Sequence, residues 1–163
     1  MDFEHQLRAK IASVPVSKLL ILGVGNTLKA DDGVGPAVCE GLKPILPGQV
    51  IEGGTAPENY VQKILNFAPK LLLIVDAMDF GGEPGTIRLF EPEELGGGLS
   101  STHALTPRTF TDLIAGQCGT EILYVGIQPG DVTMGAAMTC VMEAAAKECV
   151  RCIADVLSEN TKH

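Results

Sequence analysis

The chain contains no tryptophan, only 4% aromatic residues, and no apolar run longer than a strand such as Leu71–Val75. A membrane-spanning helix needs about 20 consecutive apolar residues, so membrane insertion is not expected. Positive charge is also scarce. Twelve Lys and Arg stand against 20 Asp and Glu, for a net charge of −8, and no basic cluster offsets the repulsion a phosphate backbone would feel. Nucleic acid is therefore not an expected partner. Residues 1–16 mix charged with apolar side chains and contain no uninterrupted apolar segment before a small-residue cleavage site, so no signal peptide is expected. The five cysteines are an odd number and lack the even framework of small secreted domains, which points to reduced thiols in a cytoplasmic compartment. Neither His-Glu-x-x-His nor Gly-x-Ser-x-Gly occurs, so the common zinc-protease and serine-hydrolase signatures are missing. Internal repeats and low-complexity tracts are absent.

What is present suits one globular domain. The 163 residues are 45% apolar and include 19 glycines, enough for a full core with several tight turns. We read residues 1–163 as a single α/β domain with an N-terminal helical extension over 1–17 and a frayed tail over 158–163. Phe3, Leu7, Ile11 and Val14 recur at helical spacing, and Pro15 ends that helix. Leu19 to Val24 is a continuous apolar run closed by glycines, the pattern of a strand buried on both faces. A helix is predicted from Gly33 to Leu46, a second strand over Gln49 to Glu52, and a helix from Thr55 to Phe67 opened by a capping-box spacing. Leu71 to Asp76 reads as a third buried strand, Thr86 to Phe90 as an antiparallel edge strand, and Glu121 to Ile127 as another buried strand. A helix starting at Thr106-Pro107 runs to about Gly116, and a long helix from about Ala136 to Leu157 ends the domain. Alternating strands and helices imply a doubly wound α/β sandwich, in which ligands gather at the carboxyl ends of strands where strand order reverses.

That rule directs attention to Gly23-Val24-Gly25-Asn26-Thr27-Leu28-Lys29-Ala30-Asp31-Asp32-Gly33-Val34-Gly35 after the first strand, and to Asp76 at the end of the third. With strand order 2-1-3, Asp32 and Asp76 face one crevice. Two carboxylates brought together need a shared proton or a cation. His103, in the glycine-rich loop Gly96 to His103, is the only histidine outside the terminal segments. An Asp, Asp, His set suits a borderline divalent ion such as nickel or zinc, with positions left open for substrate donors. Each residue also has a plainer reading. Asp31 and Asp32 can cap a helix or favour its dipole, Asp76 can be a turn residue, and His103 can be a solvated loop side chain. Gly23-x-Gly25 with Glu52 resembles half of a dinucleotide fingerprint, but Leu28 stands where the third glycine belongs, and two aspartates occupy the place of a pyrophosphate. Cys149-x-x-Cys152 lies inside a predicted helix without a second pair and reads as core or surface thiols.

Taken together, the motif at 23–35, Gly53-Gly54-Thr55-Ala56-Pro57-Glu58-Asn59, Leu72-Leu73-Ile74-Val75-Asp76-Ala77, Pro84-Gly85-Thr86-Ile87-Arg88, Ser101-Thr102-His103 and Gly126-Ile127-Gln128-Pro129 resemble the hydrogenase maturation proteases in order and spacing. The resemblance covers about residues 19–130 and is nearest to the hydrogenase 3, formate-hydrogenlyase type. It implies a three-layer αβα sandwich with a mostly parallel, twisted five-stranded sheet and one antiparallel edge strand. It also implies an endopeptidase, assigned in the family to the aspartic type, that removes a C-terminal extension from the nickel-loaded large-subunit precursor of a NiFe hydrogenase. Nickel would be carried by the substrate rather than permanently bound, and Asp32, Asp76 and His103 would be both its contacts and the catalytic residues. The first acid is Asp here where other members carry Glu, so a shorter side chain must reach the metal, with Asp31 alongside. A monomer is the default expectation. The reading from a different class is a metal-binding or nickel-delivery module that recognises the same precursor without cutting it. A third reading, a conventional metallohydrolase with a resident ion, would carry denser histidine ligands.

Overall fold

In a computed structural model, residues 2–96 and 107–162 are described. The elements are α1 (Phe3–Ile11), β1 (Leu19–Val24), α2 (Val34–Leu42), β2 (Val50–Gly54), α3 (Val61–Phe67), β3 (Leu71–Ala77), β4 (Ile87–Phe90), α4 (Pro107–Cys118), β5 (Glu121–Ile127) and α5 (Cys140–Asn160). The sheet order is β2-β1-β3-β5-β4. β1 pairs in parallel with β2 and β3, β3 pairs in parallel with β5, and β4 runs antiparallel to β5 at the edge. This is the mostly parallel five-stranded sheet with one antiparallel edge strand that the family resemblance implied.

Both faces of the sheet are covered, which explains why its central strands are continuously apolar rather than alternating. Leu19, Ile21, Leu71, Leu73, Val75, Leu123 and Val125 point to one layer, where they meet Leu7 and Ile11 of α1, Val34 and Val38 of α2, and Cys149 and Ile153 of α5. Leu20, Leu22, Leu72, Ile74, Ile122 and Tyr124 point the other way, against Ile64 of α3 and Phe110 and Ile114 of α4. Among the described residues, no helix is long and apolar enough to cross a membrane.

Several element ends differ from the sequence reading. The helix predicted to run from Gly33 to Leu46 stops at Leu42; Pro44, Pro47 and Gly48 follow it, and proline cannot extend a helix. Thr55 does not cap a helix: Pro57–Tyr60 form a 3-10 turn, and α3 starts only at Val61. The last helix starts at Cys140 rather than near Ala136, because Thr139 is its N-cap and Gly135 adopts φ 84° just before it. It then continues to Asn160. Asn160 Nδ2 donates to the carbonyls of Ile11 and Val14, so what reads as a polar tail is bonded to the end of α1.

Candidate active site

The carboxyl ends of β1 and β3 lie side by side, with Gly23 of β1 opposite Val75 of β3. β2 flanks β1 on one side and β5 flanks β3 on the other, so strand order reverses at this point. What brings the helix so close above these ends is glycine. A Cβ on Gly35, in the first turn of α2, would lie 2.2 Å from the Val24 carbonyl oxygen and 2.6 Å from that of Val75. A Cβ on Gly25 would lie 2.0 Å from the carbonyl oxygen of Asp32. Only glycine allows the turn after β1 to fold back on itself and α2 to start directly over both strand ends.

Within that turn, Asp31 and Asp32 belong to a 3-10 segment, Ala30–Gly33, that packs against β3. Ala30 enters it with φ 48°, a left-handed conformation uncommon for a residue with a side chain. Asp31, Asp32 and Asp76 are all buried, none more than 4% exposed, although burying a carboxylate is unfavourable unless it is hydrogen-bonded or paired with a cation.

Asp31 meets that requirement within the protein. Its Oδ2 accepts from the backbone N–H groups of Gly130 (2.9 Å) and Asp131 (3.0 Å). Its Oδ1 accepts from the N–H (2.8 Å) and hydroxyl (2.9 Å) of Thr139, and its own N–H donates to the Asp131 carbonyl at 2.9 Å. Burial alone would push this carboxyl up, but the Asp131, Thr139 and Gly130 N–H bonds and the Thr139 hydroxyl outweigh it and hold the group below its ordinary value. Asp31 is thus committed to joining the β1–α2 turn to the β5–α5 connection. The sequence set Asp31 alongside Asp32 without a role of its own, and these bonds give it a structural one.

Asp32, one residue on, accepts the Asn26 N–H at its Oδ2 (2.9 Å). Asn26 Oδ1 in turn accepts the Leu28 N–H (2.9 Å), so the turn is bonded internally along its length. Asp76 is the penultimate residue of β3 and follows Leu72 and Ile74 on the face that packs against α3 and α4. Gly126 of β5 stands opposite it. Tyr124, two residues before Gly126, shares a 3.3 Å hydrogen bond with Thr111 of α4. Burial raises its phenol to about 12; the Thr111 bond opposes that rise and the nearby Asp76 charge adds to it. His103 lies outside the described residues. Among the described residues, no group of three or more His, Cys, Asp or Glu side chains is arranged to hold a metal ion.

Two shallow grooves border the Asp32 turn. One, of about 390 Å³, runs between Asn26–Leu28 and the Gly53–Thr55 turn after β2. The other, of about 270 Å³, runs from Thr27 and Ala30 to Ala136 and Met138. Gln128, which the sequence reading placed in a motif without a role, organises the opposite margin: its Oε1 accepts the N–H groups of Phe80 (2.9 Å) and Gly82 (3.1 Å), and its Nε2 donates to Asp79 (3.1 Å). Gln128 directly follows β5, and the loop it holds is the β3–β4 connection, a partner that sequence spacing does not indicate. The five cysteines are free thiols. Cys149 is buried and its thiol is pushed well above its usual range by that burial, as expected for a core residue and not a nucleophile.

A doubly wound α/β sheet with buried carboxylates at its topological switch point and open grooves alongside has the layout of an α/β enzyme. The family model HycI, hydrogenase maturation protease, matches residues 38–158. The hydrogenase 3 maturation protease of Escherichia coli K12 is 37% identical over 123 residues, covering 74% of this chain and 78% of the relative. The crystal structure of the [NiFe] hydrogenase maturation protease HycI from Thermococcus kodakarensis superposes with a TM-score of 0.85 at 32% identity, covering 94% of this chain and 99% of that one. The hydrogenase maturating endopeptidase HybD from Escherichia coli gives a TM-score of 0.72 at 26% identity, covering 87% and 93%. The chain belongs to the hydrogenase maturation protease family, and its activity is that of an endopeptidase.

Proposed function

We propose that this endopeptidase cleaves a C-terminal extension from the large-subunit precursor of a NiFe hydrogenase, and that it does so only when the precursor already carries nickel. The observation that carries the reading is that Asp32, in the turn that follows β1, and Asp76, near the end of the adjacent parallel strand β3, are both buried, in a chain that belongs to this family. Here nickel is part of the substrate. Asp32 and Asp76, with His103 supplied from the loop between β4 and α4, add hard and borderline donors to an ion that the precursor holds by thiolates. The protein side of the reaction is then positioning: the ion anchors the precursor, and the scissile peptide bond is held beside the carboxylates. One carboxylate assists a water in attacking the peptide carbonyl, and the departing amine takes up a proton. A precursor without nickel lacks the anchor and is left uncut. Five free thiols suit a reducing, cytoplasmic setting, and we take the working form to be a monomer.

The test is incubation with a cognate precursor, with and without nickel, read by intact mass. Loss of a short C-terminal peptide from the nickel-loaded form alone supports the reading. Equal cleavage of both forms, or a stoichiometric ion in the purified protein, contradicts substrate-borne nickel. Tight binding of the loaded precursor without cleavage would favour the delivery-module reading.

A further inference from the structure

The margin of the site carries an exposed apolar surface that the hydrolytic residues do not explain. Leu28 is 67% exposed and Met134 62%, and Val132 is exposed nearby. They lie on two segments joined by a 2.7 Å hydrogen bond from the Gly135 N–H to the Leu28 carbonyl. Neither segment is free to fold its side chains inward. Asp31 holds the N–H groups of Gly130, Asp131 and Thr139. Asp131 Oδ1 accepts the N–H (2.8 Å) and hydroxyl (2.6 Å) of Thr133, and Asn26 holds the Leu28 N–H. Large apolar side chains are thus kept in water on a hydrogen-bonded frame, an unfavourable arrangement unless something covers them. The segment carrying Val132 and Met134 also lacks charge: residues 132–142 include no Asp, Glu, Lys or Arg in a chain where such residues make up 20%, with Asp131 before it and Lys29 beside Leu28 as the adjoining charges. Depletion of charge around apolar anchors is the composition of an interface centre. Leu28 lines the same groove as Asn26 and Thr27, so this surface is continuous with the margin of the Asp32 turn.

We propose that Leu28, Val132 and Met134 form a docking surface for the folded body of the protein substrate, against an apolar, uncharged face beside the chain end that enters the groove. The inference rests on the endopeptidase reading above. A protease that acts on one folded precursor needs contacts beyond the few residues around the scissile bond, because selectivity is a difference in affinity between whole partners.

Steady-state cleavage of nickel-loaded precursor by a Leu28→Asp, Met134→Asp double variant tests this, with Ile45→Asp as control. Ile45 is also exposed but lies between α2 and β2, at the opposite end of the sheet. The double variant is expected to raise KM by about tenfold or more, with kcat within about twofold of wild type and no change for the control. An unchanged KM, or an equal rise with Ile45→Asp, overturns the proposal. So does a wild-type dimer that the same substitutions dissociate in sedimentation, since a second copy would then be the occupant. Should the aspartates depress kcat as well, a Leu28→Gln, Met134→Gln pair decides in the same way: a rise in KM alone supports docking and an unchanged KM overturns it. Failure of the endopeptidase reading would be seen separately, as a wild-type protein that leaves nickel-loaded precursor intact.

Discussion

Asp31 and Thr139, 108 residues apart in sequence, are joined by hydrogen bonds of 2.8 Å and 2.9 Å from the threonine N–H and hydroxyl to one carboxylate oxygen. The same hydroxyl accepts the Met142 N–H at 3.3 Å in the first turn of α5. One buried carboxylate therefore fixes the turn that carries Asp32, the 130–139 connection and the start of the last helix. Asp31→Ala would leave three partly buried N–H donors and a hydroxyl without their acceptor. An expected loss of about 3 to 5 kcal/mol follows, measurable by urea unfolding. A loss below about 1 kcal/mol would mean that water replaces the carboxylate readily.

The same residue sets an acid limit. Because the folded-state carboxyl of Asp31 is held below its ordinary value of 3.8, its contribution to stability is fully present above that value. It is lost as pH falls from there through the depressed folded value. Stability of the wild type should drop more steeply below pH 3.8 than that of Asp31→Asn, while the two run parallel above it. Parallel curves across the acid range would remove Asp31 from the account.

Gly35→Ala places a methyl group 2.2 Å from the Val24 carbonyl and 2.6 Å from that of Val75. Both obstacles are backbone in central strands, so α2 must lift off the strand ends that flank the site. Destabilisation of about 3 kcal/mol is expected, with loss of cleavage beyond what the unfolded fraction explains. Gly116→Ala, with open space around its Cβ, is the matched control and should be near neutral.

Gln128→Ala removes the acceptor of the Phe80 and Gly82 N–H groups. Amide hydrogen exchange at those two positions should accelerate while β3 and β5 stay protected. A cost of about 1 to 2 kcal/mol is expected. Uniform acceleration through the sheet would mean that Gln128 supports the whole fold rather than this one loop.

The sheet was legible because strands covered on both sides must be apolar throughout, and Leu19–Val24, Leu71–Ala77 and Glu121–Ile127 show that directly. The 2-1-3 order common in such sheets is the order observed for the first three strands, and it sets the end of β3, with Asp76, beside the turn that carries Asp32. The division of labour between Asp31 and Asp32 was not legible. In sequence they are equivalent carboxylates before a helix, and only the return of residues 130–139, set by long-range packing of α5, assigns one of them to Thr139. Helix starts were misread where turn geometry prevails over capping pattern. Thr55 fits a capping box, yet Pro57–Tyr60 tighten into a 3-10 turn after Gly54 at φ 57°. Ala136 suits a helix, but the Asp31 and Met142 bonds make Thr139 the cap.

In the proposed function, Asp32, Asp76 and His103 act on a precursor through the nickel it carries. The most direct measurement is the rate of C-terminal peptide release from nickel-loaded precursor by wild type and by Asp32→Ala, Asp76→Ala and His103→Ala, each verified as folded. Release by wild type is expected from the loaded form alone, with a drop of about a hundredfold or more for each variant. Wild-type rates in all three variants, or equal release from nickel-free precursor, would contradict it.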